Sequence, residues 1–253
     1  MKSTDFTSWA SEASILSVQT APSKAAAQFM RTFTAPKNYK DATKIREYIE
    51  SQKATFYEKA ALDAMRAEIV VVGLHDVLTD DVGFFCLHTT ADLDHHDLLL
   101  GGDHRVSLFT SEADLLQAVL SGLPKRLVGQ ALNSFHLPML IRRCLYHGFE
   151  VPARFLPKPR YFDSYNCFDF CEAWSLGKTE DKYVSLENLA LFFLPGHEPN
   201  ELPLSVTDTT TLVNRFRKDP AATLADFALS LDFIQEIAPM LYIVRNHPIP
   251  DLK

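Results

Sequence analysis

A strand-like run from Arg126 to Leu132 meets Asn133-Ser134-Phe135-His136-Leu137-Pro138, and a helical pattern begins at once. This strand–turn–helix unit constrains the chain most, because a helix that leaves a strand so directly must pack on a sheet face. Pro138 fits the first helical turn, where its missing N–H costs little. The pattern predicts a helix over Met139 to His147 that stops near Gly148.

The segments before it supply the rest of a sheet. Ser14 to Val18 reads as a short strand. Ala67 to Leu74 (AEIVVVGL) is β-branched and apolar, as a buried central strand requires. Val82 to Thr89 is another strand, and the intervening LTDD has turn chemistry, which predicts an antiparallel pair. Between the first strand and Ala67, residues 37–66 are polar and helix-favouring, with Ile45, Tyr48, Ile49 and Phe56 near helical spacing. This predicts a helical insertion after the first strand. Asp92 to His104 reads as a polar loop, and Arg105 to Phe109 as a strand. Thr110 or Ser111 caps a helix that ends at Gly122. Asn166 to Trp174 reads as a helix or short strand, and Ser185 to Leu191 as a capped helix. His197 to Thr210 reads as a loop, and Thr211 to Lys218 as a helix. A last helix runs over Thr223 to Val244 with Pro239 as a kink. Antiparallel strands followed by strand–helix alternation give an α/β fold, a mixed sheet flanked by helices.

At 253 residues the chain fits one domain, 1–253, with the helical insertion inside it. No apolar run reaches the roughly 18 residues needed to span a bilayer, so no membrane role is expected. The first residues show no apolar signal core, which predicts a cytoplasmic protein. Cys86, Cys144, Cys167 and Cys171 form no paired framework and read as reduced packing residues. Cys167 and Cys171 are spaced for one helical face. The net charge of −7 argues against a broadly basic nucleic-acid surface. Local basic clusters remain at Lys125-Arg126, Arg142-Arg143 and Arg154 to Arg160. Asp94-His95-His96-Asp97 lacks the further acids of a metal site and reads as a solvated loop.

The stretch Asn133 to Pro138 resembles the second motif, N-x-x-F-D-x-P, of the 3′–5′ exonucleases related to the proofreading domain of family B DNA polymerases. Three further segments resemble that family in order and spacing: Lys59 to Asp63 ahead of the Glu68 to Gly73 strand, Cys167-Phe168-Asp169-Phe170, and Val184 to Ala190. The likeness implies a ribonuclease H-like fold. It also implies a two-metal site of the DEDD type, with four carboxylates: D-x-E on the first strand, the aspartate of the second motif, and an aspartate in Y-x-x-x-D on the final helix. Asn133, Phe135, Arg142 and Arg143 occupy the positions through which nucleic acid would be bound. Asn133 also reads as a turn-stabilising residue and Asp169 as a helix cap. Tyr161 and Trp174 could stack on bases, although such rings usually belong to a core.

On that pattern the acidic positions fall on Ser17, Gln19, His136 and Asp232, with Ala228 in place of the tyrosine. Two hard divalent cations about 3.5–4 Å apart need about four negative charges around them. One carboxylate leaves most of that charge uncompensated in a low-dielectric cleft. The resemblance therefore implies a catalytically degenerate exonuclease-like protein, a pseudoenzyme with a nucleic-acid-binding or scaffold role and no cofactor. Its expected partners are a single-stranded DNA or RNA end, or another protein. One alternative is an active, divergent exonuclease using His136 and Asp232 with Mg²⁺ or Mn²⁺. Another is a protein-interaction module that binds no nucleic acid.

Overall fold

The structure, a computed structural model, describes residues 4–87, 104–156, 166–176, 183–194, 196, 215–216 and 218–242. Its centre is strand β1 (Ala13–Pro22), buried on both faces along nearly its whole length. The remaining strands are β2 (Ala67–Asp76), β3 (Val82–Leu87), β4 (Arg105–Phe109), β5 (Arg126–Gly129) and β6 (Cys167–Asp169). They form one mixed sheet in the order β4-β3-β2-β1-β5-β6. β2 runs antiparallel to both of its neighbours, β1 and β3, whereas β4 runs parallel to β3, β5 to β1, and β6 to β5. The antiparallel hairpin of β2 and β3 is the pairing that the LTDD turn predicts.

Helices cover both faces. α1 (Thr4–Ala10), α5 (Phe170–Ser175), α6 (Leu186–Phe193) and α7 (Pro220–Tyr242) have their buried side chains in one core, with Ile15, Val71, Phe84 and Val128 of the sheet. α3 (Glu112–Gly122) and α4 (Leu137–Tyr146) lie on the other, against Leu16, Val18, Ile69 and Val72. Alternation along β1 sends Ala13 and Ile15 to the first core and Leu16 and Val18 to the second, as period-two side chains must. The insertion holds a single long helix, α2 (Ala42–Ala61), capped by Asp41, whose carboxylate accepts from the Thr43 N–H at 2.8 Å. A 3₁₀ turn, Lys24–Phe29, precedes it.

Caps expected from sequence are in place. Ser111 caps α3 and Ser185 caps α6, each accepting from the N–H three residues on. Asp169 caps α5 through the Cys171 N–H at 2.9 Å. α4 ends before Gly148, whose φ is +75°. Two expectations are corrected. The strand at Arg126 stops at Gly129 rather than Leu132, because Ala131 turns left-handed (φ 54°) and starts a π turn, Leu132–His136. Cys167 lies in β6 and Cys171 in α5, so the two do not share a helical face. The loop expected at 92–103 (with its D-H-H-D), the one at 197–210, Tyr161 and most of the helix expected at 211–218 lie outside the described residues. Among the described residues no helix is long and apolar enough to cross a membrane.

α7 sits close on the sheet because Gly73 has no side chain. A Cβ there would come within 3.2 Å of both Phe227 Cζ and Leu231 Cδ1. Both neighbours are buried core side chains with little room to retreat. Gly73→Val is expected to lower the unfolding free energy by about 1–3 kcal/mol through overpacking. Chemical denaturation checks this, and an unchanged midpoint would show that α7 does not pack this closely.

Candidate functional site

The region to which sequence reasoning points lies where β1 and β5 part. Their pairing ends at Ile15–Val128, after which β5 turns away at Gly129. Gly129 is held there by close approach, since a Cβ would lie 3.0 Å from the Leu16 carbonyl oxygen. The π turn follows, with the Phe135 and His136 N–H groups both donating to the Ala131 carbonyl, at 2.9 and 3.2 Å. Single π turns of this kind re-aim side chains without breaking a helix. Here the turn swings His136 back to β1, where its Nδ1 accepts the Val18 N–H at 3.0 Å.

That hydrogen bond fixes the chemistry of the ring. A neutral imidazole whose Nδ1 accepts carries its proton on Nε2, so neither nitrogen keeps a lone pair for a metal. Burial drives the imidazole down from 6.5 to about 4, against smaller upward pulls from the backbone at Val18 and Gln130. His136 is therefore neutral at physiological pH.

Ser17 and Gln19 face α7, on the same side of β1 as Ile15. Ser17 lies across from Gly73, and Gln19 across from Val71. Both are buried, and neither the Ser17 hydroxyl nor either amide atom of Gln19 has a hydrogen-bond partner. Asp232 projects elsewhere. Its Oδ1 lies 3.7 Å from Nδ1 of the buried His75, whose Nε2 is 2.8 Å from Asp80 Oδ1. Gln235 Nε2 also donates to Asp80, at 3.1 Å. Burial holds the Asp232 carboxyl above its usual range, His75 and His104 pulling it down and Asp80 up. His75 pairs with Ile15 on the first half of β1, whereas His136 meets Val18 on the second half. Ala228 is buried in the α7 core.

These residues do not fit a pair of divalent cations. Ser17 and Gln19 are neutral, the lone pair of His136 is taken, and Asp232 stands beside His75 instead. Among the described residues no group of three or more His, Cys, Asp or Glu side chains is arranged to hold a metal ion.

The nucleic-acid candidates are placed as follows. Arg142 is exposed on α4. Arg143 is buried, its Nε donating to Glu112 at 2.9 Å and its NH1 to the Ala64 carbonyl at 3.0 Å. Asn133 is buried; its N–H donates to Asp169 at 2.7 Å and its side-chain amide to Glu172 at 2.9 Å. Phe135 is half-buried, its ring edge-on to His136 with centroids 5.2 Å apart. Trp174 packs edge-on against Phe192 and Phe193.

Burial pushes Asp169 up from 3.8 to about 6. The Asn133, Cys171 and Leu132 N–H groups oppose that rise, and Glu172 adds to it.

Sequence reasoning missed a second constellation, behind α4. Glu112 is buried and accepts from Arg143, from His147 Nε2 at 2.9 Å and from the Ile69 N–H at 2.7 Å. Burial raises its carboxyl, and hydrogen bonds from Arg143, His147 and Ile69 outweigh this and leave it below its ordinary range. The available signal was the helical spacing of Arg143 and His147, which puts both on one face of the chain leaving α4.

A comparison with models of known protein families finds no match, and neither does a comparison with curated proteins.

Two predictions follow from burial. Replacing an unpaired buried polar group by an apolar one of similar shape removes a desolvation cost, so Gln19→Met is expected to raise stability by about 1–2 kcal/mol. A loss of stability on denaturation would show that the amide has a partner.

The two shifted groups act in opposite directions with pH. The fold disfavours the His136 cation, so its contribution is present above pH 6.5 and is lost as pH falls towards 4. The fold disfavours the Asp169 anion, so stability is gained as pH falls from 6 towards 3.8. Between pH 4 and 6 the two offset each other. His136→Gln is expected to gain stability relative to wild type on acidification, and Asp169→Asn to lose it. Parallel denaturation curves across that window, with no divergence, would refute both shifts.

Proposed function

We propose that this chain is a ribonuclease H-like relative of the 3′–5′ exonucleases that has lost its two-metal site and works by binding. Its ligand is a single-stranded nucleic-acid end, or it serves as a scaffold for a protein partner. The sheet order and strand directions are compatible with a ribonuclease H-like class. The observation that carries the reading is the state of the first-strand positions: Ser17 and Gln19 are neutral, buried and without partners on the face that α7 covers. Phosphodiester hydrolysis by two metals needs an ion that activates water and another that steadies the leaving oxygen. A buried hydroxyl and a buried amide supply neither the charge nor the access. The retained features are those that shape a fold: the Asn133 to Pro138 turn, the Asp169 cap and the Ser185 cap. The overall acidity of the chain favours the protein-scaffold arm of the reading.

The test is incubation of the protein with end-labelled single-stranded DNA and RNA in Mg²⁺ and in Mn²⁺. Full-length substrate is expected at the end, together with binding that weakens as salt rises. Metal-dependent shortening from the 3′ end that Asp232→Asn abolishes would replace this reading with an active, divergent exonuclease. No binding at low salt would leave the protein-scaffold role alone.

A further inference from the structure

We propose that a cavity between the Lys24–Phe29 turn and the end of α4 binds one nucleotide unit of a nucleic-acid strand, stacking its base on Tyr146 and Phe29. This rests on the nucleic-acid arm of the function proposed above and gives it a location. The cavity measures about 640 Å³. It lies where three parallel strands end: Ser23 just past β1, Leu87 at the end of β3 and Thr110 just past β4 all line it. The crevice outside the carboxyl ends of strands is where open α/β sheets place their ligands.

Its walls carry the features of a stacking platform. Tyr146 and Phe29 are 69% and 43% exposed and both line the cavity. Each ring packs on a guanidinium, Tyr146 on Arg143 at 4.3 Å and Phe29 on Arg66 at 5.8 Å. Arg143 is itself locked by Glu112 and the Ala64 carbonyl, so the Tyr146 ring is positioned by a rigid floor rather than by apolar burial. Rings held in this way stack on any base, because every base has a π face.

The lining also offers a cation to the ligand's phosphate. Lys24 and Arg143 supply the cations of the lining, and Glu68 and Glu112 the acids. Glu112 is neutralised by Arg143 and hydrogen-bonded by His147 and the Ile69 N–H. Lys24 is left to meet the backbone phosphate.

The experiment uses the full chain and fluorescence anisotropy with a labelled single-stranded oligonucleotide. Tyr146→Leu and Phe29→Leu are expected to weaken oligonucleotide binding roughly tenfold each. Tyr146→Phe should bind as wild type does, as should Phe192→Leu, which removes an exposed ring on α6. Thermal melting checks that each variant is folded. Oligonucleotide binding that persists unchanged in both leucine variants would overturn this site and leave the proposed function standing. No oligonucleotide binding by the wild type at low salt would overturn the nucleic-acid arm of that function and this site with it.

Discussion

The hydrogen bond from the Val18 N–H to His136 Nδ1 organises the centre of this molecule. β5 leaves β1 after Ile15, and a central strand cannot leave its buried N–H groups unpaired without a cost of about 1–3 kcal/mol each. The π turn delivers an imidazole to one of them. The helix that follows is thereby tied to β1, and Phe135 is set against the His136 ring. An aspartate in the same place could accept that N–H and still hold a second lone pair outward. The imidazole spends its acceptor on the backbone, and burial keeps it uncharged.

The polar side chains of β1 have the opposite problem. Ser17 and Gln19 share their face of β1 with the apolar Ala13, Ile15 and Ala21, and nothing in the surrounding core answers their hydrogen-bonding atoms. Gly73 opposite Ser17 lets Phe227 and Leu231 close down on the sheet. The fold has thus kept polar residues at two central positions and covered their face with a helix. Charge is handled on the other face, where Glu112, Arg143 and His147 satisfy one another around a carboxylate. Removing one partner from such a pair costs far more than the pair contributes, since a buried charge is left alone. That network therefore behaves as structure, and it gives the adjoining cavity a rigid floor.

Much of the architecture was legible in the chain because its signals are local. The β-branched run of β2, the turn before β3, and the Ser111, Asp169 and Ser185 caps act within a few residues, and each expectation matched an element. Fold-level contacts were not legible. The end of β5 depends on a left-handed Ala131, and nothing about an alanine announces that conformation. The exchange between Glu112 and Arg143 joins residues 31 apart, and sequence alone showed only an exposed-looking basic pair at Arg142-Arg143. At the candidate site, sequence reasoning named Ser17, Gln19 and His136 as neutral or nitrogen-bearing positions, and the structure buries all three. Sequence alone could not foresee that Asp232 stands beside His75, because the packing of α7 on the sheet, not local sequence, decides which strand residue its side chains meet.

The central claim is that the place where β1 and β5 part does not seat divalent cations. It is tested most directly by titrating the protein with Mn²⁺ into the millimolar range while following the His136 ring and Val18 amide signals by NMR. Paramagnetic Mn²⁺ bound there would broaden those signals selectively. The account requires that they broaden no more than buried signals elsewhere in the sheet, and selective loss of both at low Mn²⁺ would contradict it.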